Sequence, residues 1–247
     1  MKFFLIFIFC SFLVYPCLLF AARPLSTDDA GTVDQGEFEV EAGLEYVKQA
    51  DKEVALSFVL KSGIFDNWDL GVELPYKFIN FAGGAKTNGF DDLTVSTKYN
   101  FSEEIDILPA FSVSFSIKTD SGNDDKSLGT GKQEYAINTI FSKSLDQITL
   151  HFNLGYVNKN DLPEENLRGV LTYGLAMEYP LNQKFNLVGE ISGENECRNK
   201  FDDNLMSGLI GFNYSLTESV SYDLGTGFEI SESSPDFNIT TGLTFSF

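Results

Sequence analysis

Residues 238–247 read NITTGLTFSF. Ile239, Thr241, Leu243, Phe245 and Phe247 take alternate positions, with Asn238, Thr240, Gly242, Thr244 and Ser246 between them. Period two marks a β-strand with one apolar and one polar face. The apolar face persists to the last residue, where soluble domains often fray into polar sequence. The same alternation recurs upstream. Phe38, Val40, Ala42, Leu44 and Tyr46 share one face of a first strand, and Glu39, Glu41, Gly43 and Glu45 the other. Ten more stretches between these two behave alike, among them residues 54–64, 68–78, 171–179 and 220–230. After residue 36 no apolar stripe of helical period runs longer than two turns.

In all twelve strands the apolar face carries no Asp, Glu, Lys or Arg. The opposite faces hold thirteen acids: Glu37, Glu39, Glu41, Glu45, Asp69, Glu73, Asp92, Glu134, Glu178, Glu190, Glu194, Asp223 and Glu229. Four lysines join them: Lys61, Lys77, Lys98 and Lys118. A soluble sandwich segregates its faces in the same way, so length and aromatic placement decide. Many of these strands run 10 to 12 residues. Soluble strands average about 5–6, and a tilted membrane crossing needs about 9–11. Trp68, Tyr76, Tyr99, Phe101, Phe185 and Tyr214 sit near strand ends, where interfacial girdles fall. Joins at residues 66–67, 102–106, 142–147, 182–184 and 216–219 are short. Joins at 80–90, 119–132, 158–168 and 195–204 are longer, though 48–53 and 231–236 break the alternation.

This pattern predicts an all-β fold: a transmembrane antiparallel up-and-down barrel of about 12 strands, spanning residues 36–247, in the bacterial outer membrane. An even strand count puts both termini at the short-turn, periplasmic end. Hydrocarbon leaves no backbone group to water, so the last strand must close on the first. Phe245 and Phe247 then face lipid, and they resemble the terminal signal read by the barrel-assembly machinery.

The N-terminus reads differently. Lys2 precedes an apolar run that ends at Ala21 and Ala22, the pattern of a signal peptide over residues 1–22, with an uncleaved anchor as the alternative. Cys10 and Cys17 fall inside it, so Cys197 alone remains and no intramolecular disulfide is expected. Residues 23–35 are expected to form a periplasmic or lumenal segment. A net charge of −19 argues against nucleic acid as a partner.

The segment RPLSTDDAGTVDQGEFEVEAGLEY, residues 23–46, resembles the opening of a family of outer-membrane barrels named for the MetA pathway of phenol degradation. Arg23, Pro24, Thr27, Asp28, Asp29, Ala30, Gly31 and Gly36 carry the resemblance. GFDDLTVSTKYNF, residues 89–101, resembles the family's stretch after its second outer loop through Asp92, Leu93, Lys98 and Tyr99. Asp91 stands where that family usually has Gly. The resemblance implies a transporter of small organic solutes, aromatic ones among them. Two rival readings stand beside it: a structural or surface-interaction barrel with a filled lumen, and an outer-membrane hydrolase.

The candidate site is the lumen, with Glu39, Glu41, Glu45, Glu73, Lys98, Glu190, Glu194 and Asp223 as its selectivity residues. Glu39, Glu41 and Glu45 adjoin the last strand, which brings no charge to its inner face, so they are expected to lack basic partners there. Asp28 and Asp29 either cap a turn or anchor the N-terminal segment to lumen lysines. His151 is the single histidine. Thr149 and Asn153 share its face, but no spacing sets a nucleophile and an orienter beside it, so no catalytic residue is expected. The acidic, Gly-rich stretch at residues 120–132 lacks the ligand spacing of a calcium loop and reads as a solvated surface loop. No cofactor or metal is expected.

Overall fold

The computed structural model describes residues 23–159, 169–196, 205–231 and 236–247. The expected signal peptide and Cys197 lie outside these residues, as do parts of the joins at 158–168, 195–204 and 231–236.

The described chain forms strands β1 (Phe38–Lys48), β2 (Lys52–Phe65), β3 (Trp68–Asn80), β4 (Lys86–Phe90), β5 (Thr94–Ser102), β6 (Ala110–Lys118), β7 (Glu134–Leu145), β8 (Ile148–Lys159), β9 (Gly169–Pro180), β10 (Phe185–Glu196), β11 (Leu205–Ser215), β12 (Val220–Glu229) and β13 (Phe237–Ser246). Successive wall strands pair antiparallel, and β1 pairs with both β2 and β13, so the sheet closes on itself. Phe38 and Phe247 exchange both backbone hydrogen bonds at the seam, at 3.1 and 2.9 Å. Closure leaves no sheet edge along the wall, which satisfies the backbone without water.

The wall has twelve positions although the sheet has thirteen strands. β4 pairs only the far half of β3, from Tyr76↔Phe90 to Asn80↔Lys86. β5 pairs the near half, from Trp68↔Tyr99 to Glu73↔Thr94. The two share one place beside β3. The join expected at residues 80–90 therefore contains a strand. Gly83-Gly84 is the turn of this hairpin, and β4, Lys-Thr-Asn-Gly-Phe, has only Thr87 and Phe90 as strand-favouring residues.

Burial is inverted relative to a soluble protein, and this decides between barrel and sandwich. Mid-strand Phe58, Leu175 and Ile210 are 54%, 53% and 59% exposed, whereas Asp69, Glu190 and Asp223 are 4%, 7% and 3% exposed. Outward aromatics form a continuous run near the end that bears the termini. Trp68, Tyr99, Phe101, Phe111, Phe141 and Phe152 meet one after another across β3, β5, β6, β7 and β8, with ring centroids 4.7–6.4 Å apart. Phe185, Phe212 and Tyr222 extend the pattern on β10 to β12. Such a girdle is where amphipathic rings meet a membrane interface.

Candidate functional site

Residues 23–36 lie inside the barrel, and their contacts run along its inner wall as a belt in the half that bears the termini. The belt enters where Gln35 bridges to Gly63 of β2 and Gly36 N donates to Gly63 O at 2.9 Å. Gly63 has no alternative there: a Cβ would lie 2.0 Å from Asp34 O and 2.4 Å from Val33 O. Val33 N then donates to Asp69 of β3 at 3.2 Å. Ala30 is fully buried. Its N–H donates to Ser142 Oγ of β7 at 2.8 Å, and its carbonyl accepts from Asn100 Nδ2 of β5 at 2.7 Å and from Ser112 Oγ of β6.

Both expectations for the acidic pair hold in the geometry. Asp28 accepts from Lys98 Nζ of β5, with both carboxylate oxygens at 3.2 Å. Asp29 caps the turn, accepting from Gly31 N at 2.6 Å. In the orientation that satisfies both partners, the Asn153 amide of β8 donates to Asp28 O and accepts from Asp28 N. Glu190 of β10 then grips the belt. Its carboxylate accepts from Ser26 N at 3.0 Å, Ser26 Oγ at 2.8 Å and Thr27 N at 2.7 Å. Leu25 packs with Ala176, Val188 and Leu209, a small apolar cluster inside a polar lumen. Pro24 lies over Gly211 and Gly225. Arg23 ends the belt on the far wall, donating to Thr240 Oγ1 at 2.8 Å and Thr241 O at 3.1 Å, with Asp223 at 3.5 Å. Of the residues that carry the family resemblance, Arg23, Thr27, Asp28, Ala30 and Gly36 bond the belt to the wall, joined there by Ser26, Val33 and Gln35.

This corrects the expected lack of basic partners for the first-strand acids. β13 is uncharged, but β1 has a second neighbour. Lys61 stands opposite Glu39 on β2 and bonds Glu39 at 3.1 Å and Glu41 at 2.6 Å. Glu45 accepts from Asn238 Nδ2 at 2.9 Å. Glu73 lines the inner face of β3, and Glu194 of β10 has Lys159 at 3.9 Å. Asp92 is no lumen group. It is 1% exposed between β4 and β5 and accepts from Gly122 N at 2.8 Å and Thr130 N at 2.7 Å, tying down the loop at 119–133. Beside it, Asp91 pairs with Lys77 at 2.9 Å. The loop is thus an anchored cap, with Leu128 2% exposed.

His151 has neighbours that its own strand did not reveal. Ser142 of β7 stands opposite it, with Oγ 2.8 Å from Nδ1, and Glu178 of β9 lies 3.4 Å from Nε2. A serine, a histidine and a carboxylate thus fall in line. The serine oxygen accepts from Ala30 N, however, and the belt covers it.

Two cavities flank the belt. One, of about 450 Å³, is lined by Ser26, Thr27, Asn138, Asn153, Thr172, Ser192, Glu194 and Ser207 among others. Another, of about 260 Å³, is lined by Arg23, Ser26, Glu45, Glu190, Asn238 and Thr240 among others.

Residues 21–247 match the model of the family described as "Putative MetA-pathway of phenol degradation". The chain belongs to that family. Comparison with curated protein sequences finds no match. Among solved structures, the chain resembles an outer-membrane channel from Pseudomonas putida F1, at 13% identity and a TM-score of 0.68, over 90% of this chain and 100% of that one. It also resembles the NanC porin, at 11% identity and 0.59, over 84% and 98%. The KdgM porin follows at 13% and 0.55, over 85% and 99%. At these identities the likeness is one of fold, and that fold is the outer-membrane β-barrel that the sequence predicts. This member of the family carries the barrel together with its belt of N-terminal residues.

Proposed function

We propose that the chain lies in the bacterial outer membrane and passes small solutes through a lumen narrowed by its N-terminal belt. The observation that carries this reading is the open cavity of about 450 Å³ beside the belt, to which Ser26, Asn138, Asn153, Thr172, Ser192 and Glu194 contribute, within a wall whose outer face is apolar. A barrel that served only to hold loops would have no need of an open space beside the belt. The family's description favours small organic compounds, aromatic ones included. The channel and porin folds support a transport role rather than an enzymatic one. So does the use of Ser142 to hold Ala30 instead of a substrate. Lipid on the outer face and the assembly machinery at the Phe245–Phe247 terminus complete the expected partners.

One observation favours the filled-barrel alternative: the belt bonds to the wall on most sides. Planar-bilayer recording of the purified full-length chain separates the two. Stepwise conductance is expected. Its absence at every voltage, in a preparation that is folded by heat-modifiable migration, would leave the filled barrel.

A further inference from the structure

We infer that the outer rim of the barrel at β1–β4 is a docking surface for a phosphorylated glycolipid of the outer leaflet, whose phosphate is held by Lys48, Lys52 and Lys86. This goes beyond solute passage and holds whether or not the lumen conducts. The strand registers place Lys48 opposite Lys52, Lys52 opposite Asn80 and Asn80 opposite Lys86. The four residues therefore form one row across β1, β2, β3 and β4. Period two puts that row on the outer face. Tyr46, Val54, Phe78 and Asn88 make up the next outward row, and Leu44, Leu56, Tyr76 and Phe90 the one after. Tyr76 meets Phe78 and Phe90 at ring-centroid distances of 5.1 and 5.0 Å, so an aromatic cluster lies below the lysines. The wall thus passes from apolar through aromatic to basic, the order of hydrocarbon, interface and headgroups. The row sits at the end opposite the termini, because β1 starts beside Phe247 and finishes at Lys48. An even number of wall strands with periplasmic termini brings that end to the outer leaflet.

Charge singles out this row. The outward positions of the described strands carry four lysines and no acid. One is Lys143, near the end that bears the termini, and Glu104 pairs with it at 2.7 Å. The others are Lys48, Lys52 and Lys86, all exposed, and none of them forms an ion pair among the described residues. In a chain of net charge −19, acidic partners are not scarce. Those close by in sequence are used elsewhere: Asp51 accepts from Ala82 N at 2.8 Å, and Glu53 turns inward to Lys77 at 3.1 Å. Lys48 and Lys52 face each other across the sheet, where like charges destabilise the pair. An anion between them removes that cost. Beside Lys86 lies an open cleft of about 540 Å³, lined also by Phe81, Asn88, Asp125 and Lys126 among others. Tyr76 donates to Asn88 Oδ1 at 2.9 Å, which leaves the Asn88 amide hydrogens for a further acceptor. A phosphate group offers three acceptor oxygens and a charge of about −1.5 to −2, and each lysine brings three donors. Sugar hydroxyls suit Asn80, Asn88 and Asp125, and acyl chains suit the aromatic rows beneath. A free anion would gain nothing from those rows, so the surface fits a lipid.

The test uses the purified full-length chain in a neutral detergent, with native mass spectrometry reading bound lipid. The probes are a bisphosphorylated glucosamine-disaccharide lipid (lipid A) and the same lipid stripped of its phosphates. The phosphorylated form should be retained at least about tenfold more tightly. Lys52→Gln, at the centre of the row, should weaken it about fivefold, the contribution of one lysine near a charged membrane surface, and replacing all three lysines should weaken it more than about 50-fold. Lys184→Gln removes an exposed lysine from the turn at the other end of the barrel and should leave retention unchanged. The row lysines are exposed, so their loss should spare the fold, which heat-modifiable migration checks. Comparing the two lipids on the unmodified chain needs no variant. Equal retention of the two forms overturns the inference, as does retention unchanged in Lys52→Gln or weakened equally in Lys184→Gln. Displacement of the lipid by an equimolar amount of inorganic phosphate also overturns it, since that would mark an anion site indifferent to the acyl chains. Conductance, present or absent, bears only on the channel.

Discussion

Glu190 holds the belt with one carboxylate, accepting from two backbone N–H groups and one hydroxyl. Hydrogen bonds to a charged group contribute about 1.5–3 kcal/mol each. Glu190→Ala would also strand the Ser26 and Thr27 amides. We expect residues 23–36 to exchange amide hydrogens at least 100-fold faster in that variant while the strands keep their protection. Exchange unchanged over 23–36 would show that the belt is held elsewhere. Gly63 tests the other end. A side chain at Gly63 meets the backbone carbonyls of Val33 and Asp34, which cannot swing aside as a side-chain tip would. Gly63→Val should therefore destabilise belt entry by about 1–3 kcal/mol, the usual cost of overpacking. Loss of amide-exchange protection at residues 33–36 reads the effect, and wild-type protection there would count against it.

The strand is the element that alternation made legible, and neighbouring residues on it should behave oppositely. Ile137 of β7 points outward and is 50% exposed, while Ala136 points into the lumen. Arg at the membrane midplane costs about 2–4 kcal/mol on the lipid face and much less on a hydrated one. Urea refolding into lipid vesicles should show Ile137→Arg destabilised by about that amount and Ala136→Arg by less than half of it. Equal losses would mean that β7 is turned the other way. The faces of all the wall strands were readable because period two admits only two choices. β4 was not, because five residues around a Gly-Gly turn alternate too briefly to stand out, and because it takes half of a partner that β5 completes.

For the whole molecule, closure is the central event. Deleting Phe247 removes the pair of hydrogen bonds it exchanges with Phe38 at the seam. Folded yield, read as heat-modifiable migration after expression, should fall several-fold, and an undiminished yield would show the seam to be dispensable. With Asp92 turned to the loop, twelve inward strand acids against four lysines predict a cation-selective lumen. The ion pairs of Lys61, Lys98 and Arg23 neutralise part of that field. Cation preference should therefore be modest, a permeability ratio of a few rather than tens, and it should shrink as salt rises through a Debye length of about 10 Å at 0.1 M. Reversal potentials across a KCl gradient measure it, and anion preference would overturn the electrostatic argument.

The sequence by itself determined the barrel, the two faces of each wall strand and the aromatic girdle, since these depend on a residue's parity along its own strand. It also set residues 23–35 apart as a periplasmic or lumenal segment, without deciding between the two places. What only the tertiary structure decided is every relation between strands. Lys61 reaches Glu39 and Glu41 because β2 is paired to β1 in one register. Ser142 and Glu178 meet His151 because β7 and β9 flank β8. The belt touches residues more than 150 positions away, as with Ser26 and Glu190. Local alternation fixes direction in or out, but which inward groups meet depends on closure and register, and those are set by the summed pairing of the whole sheet.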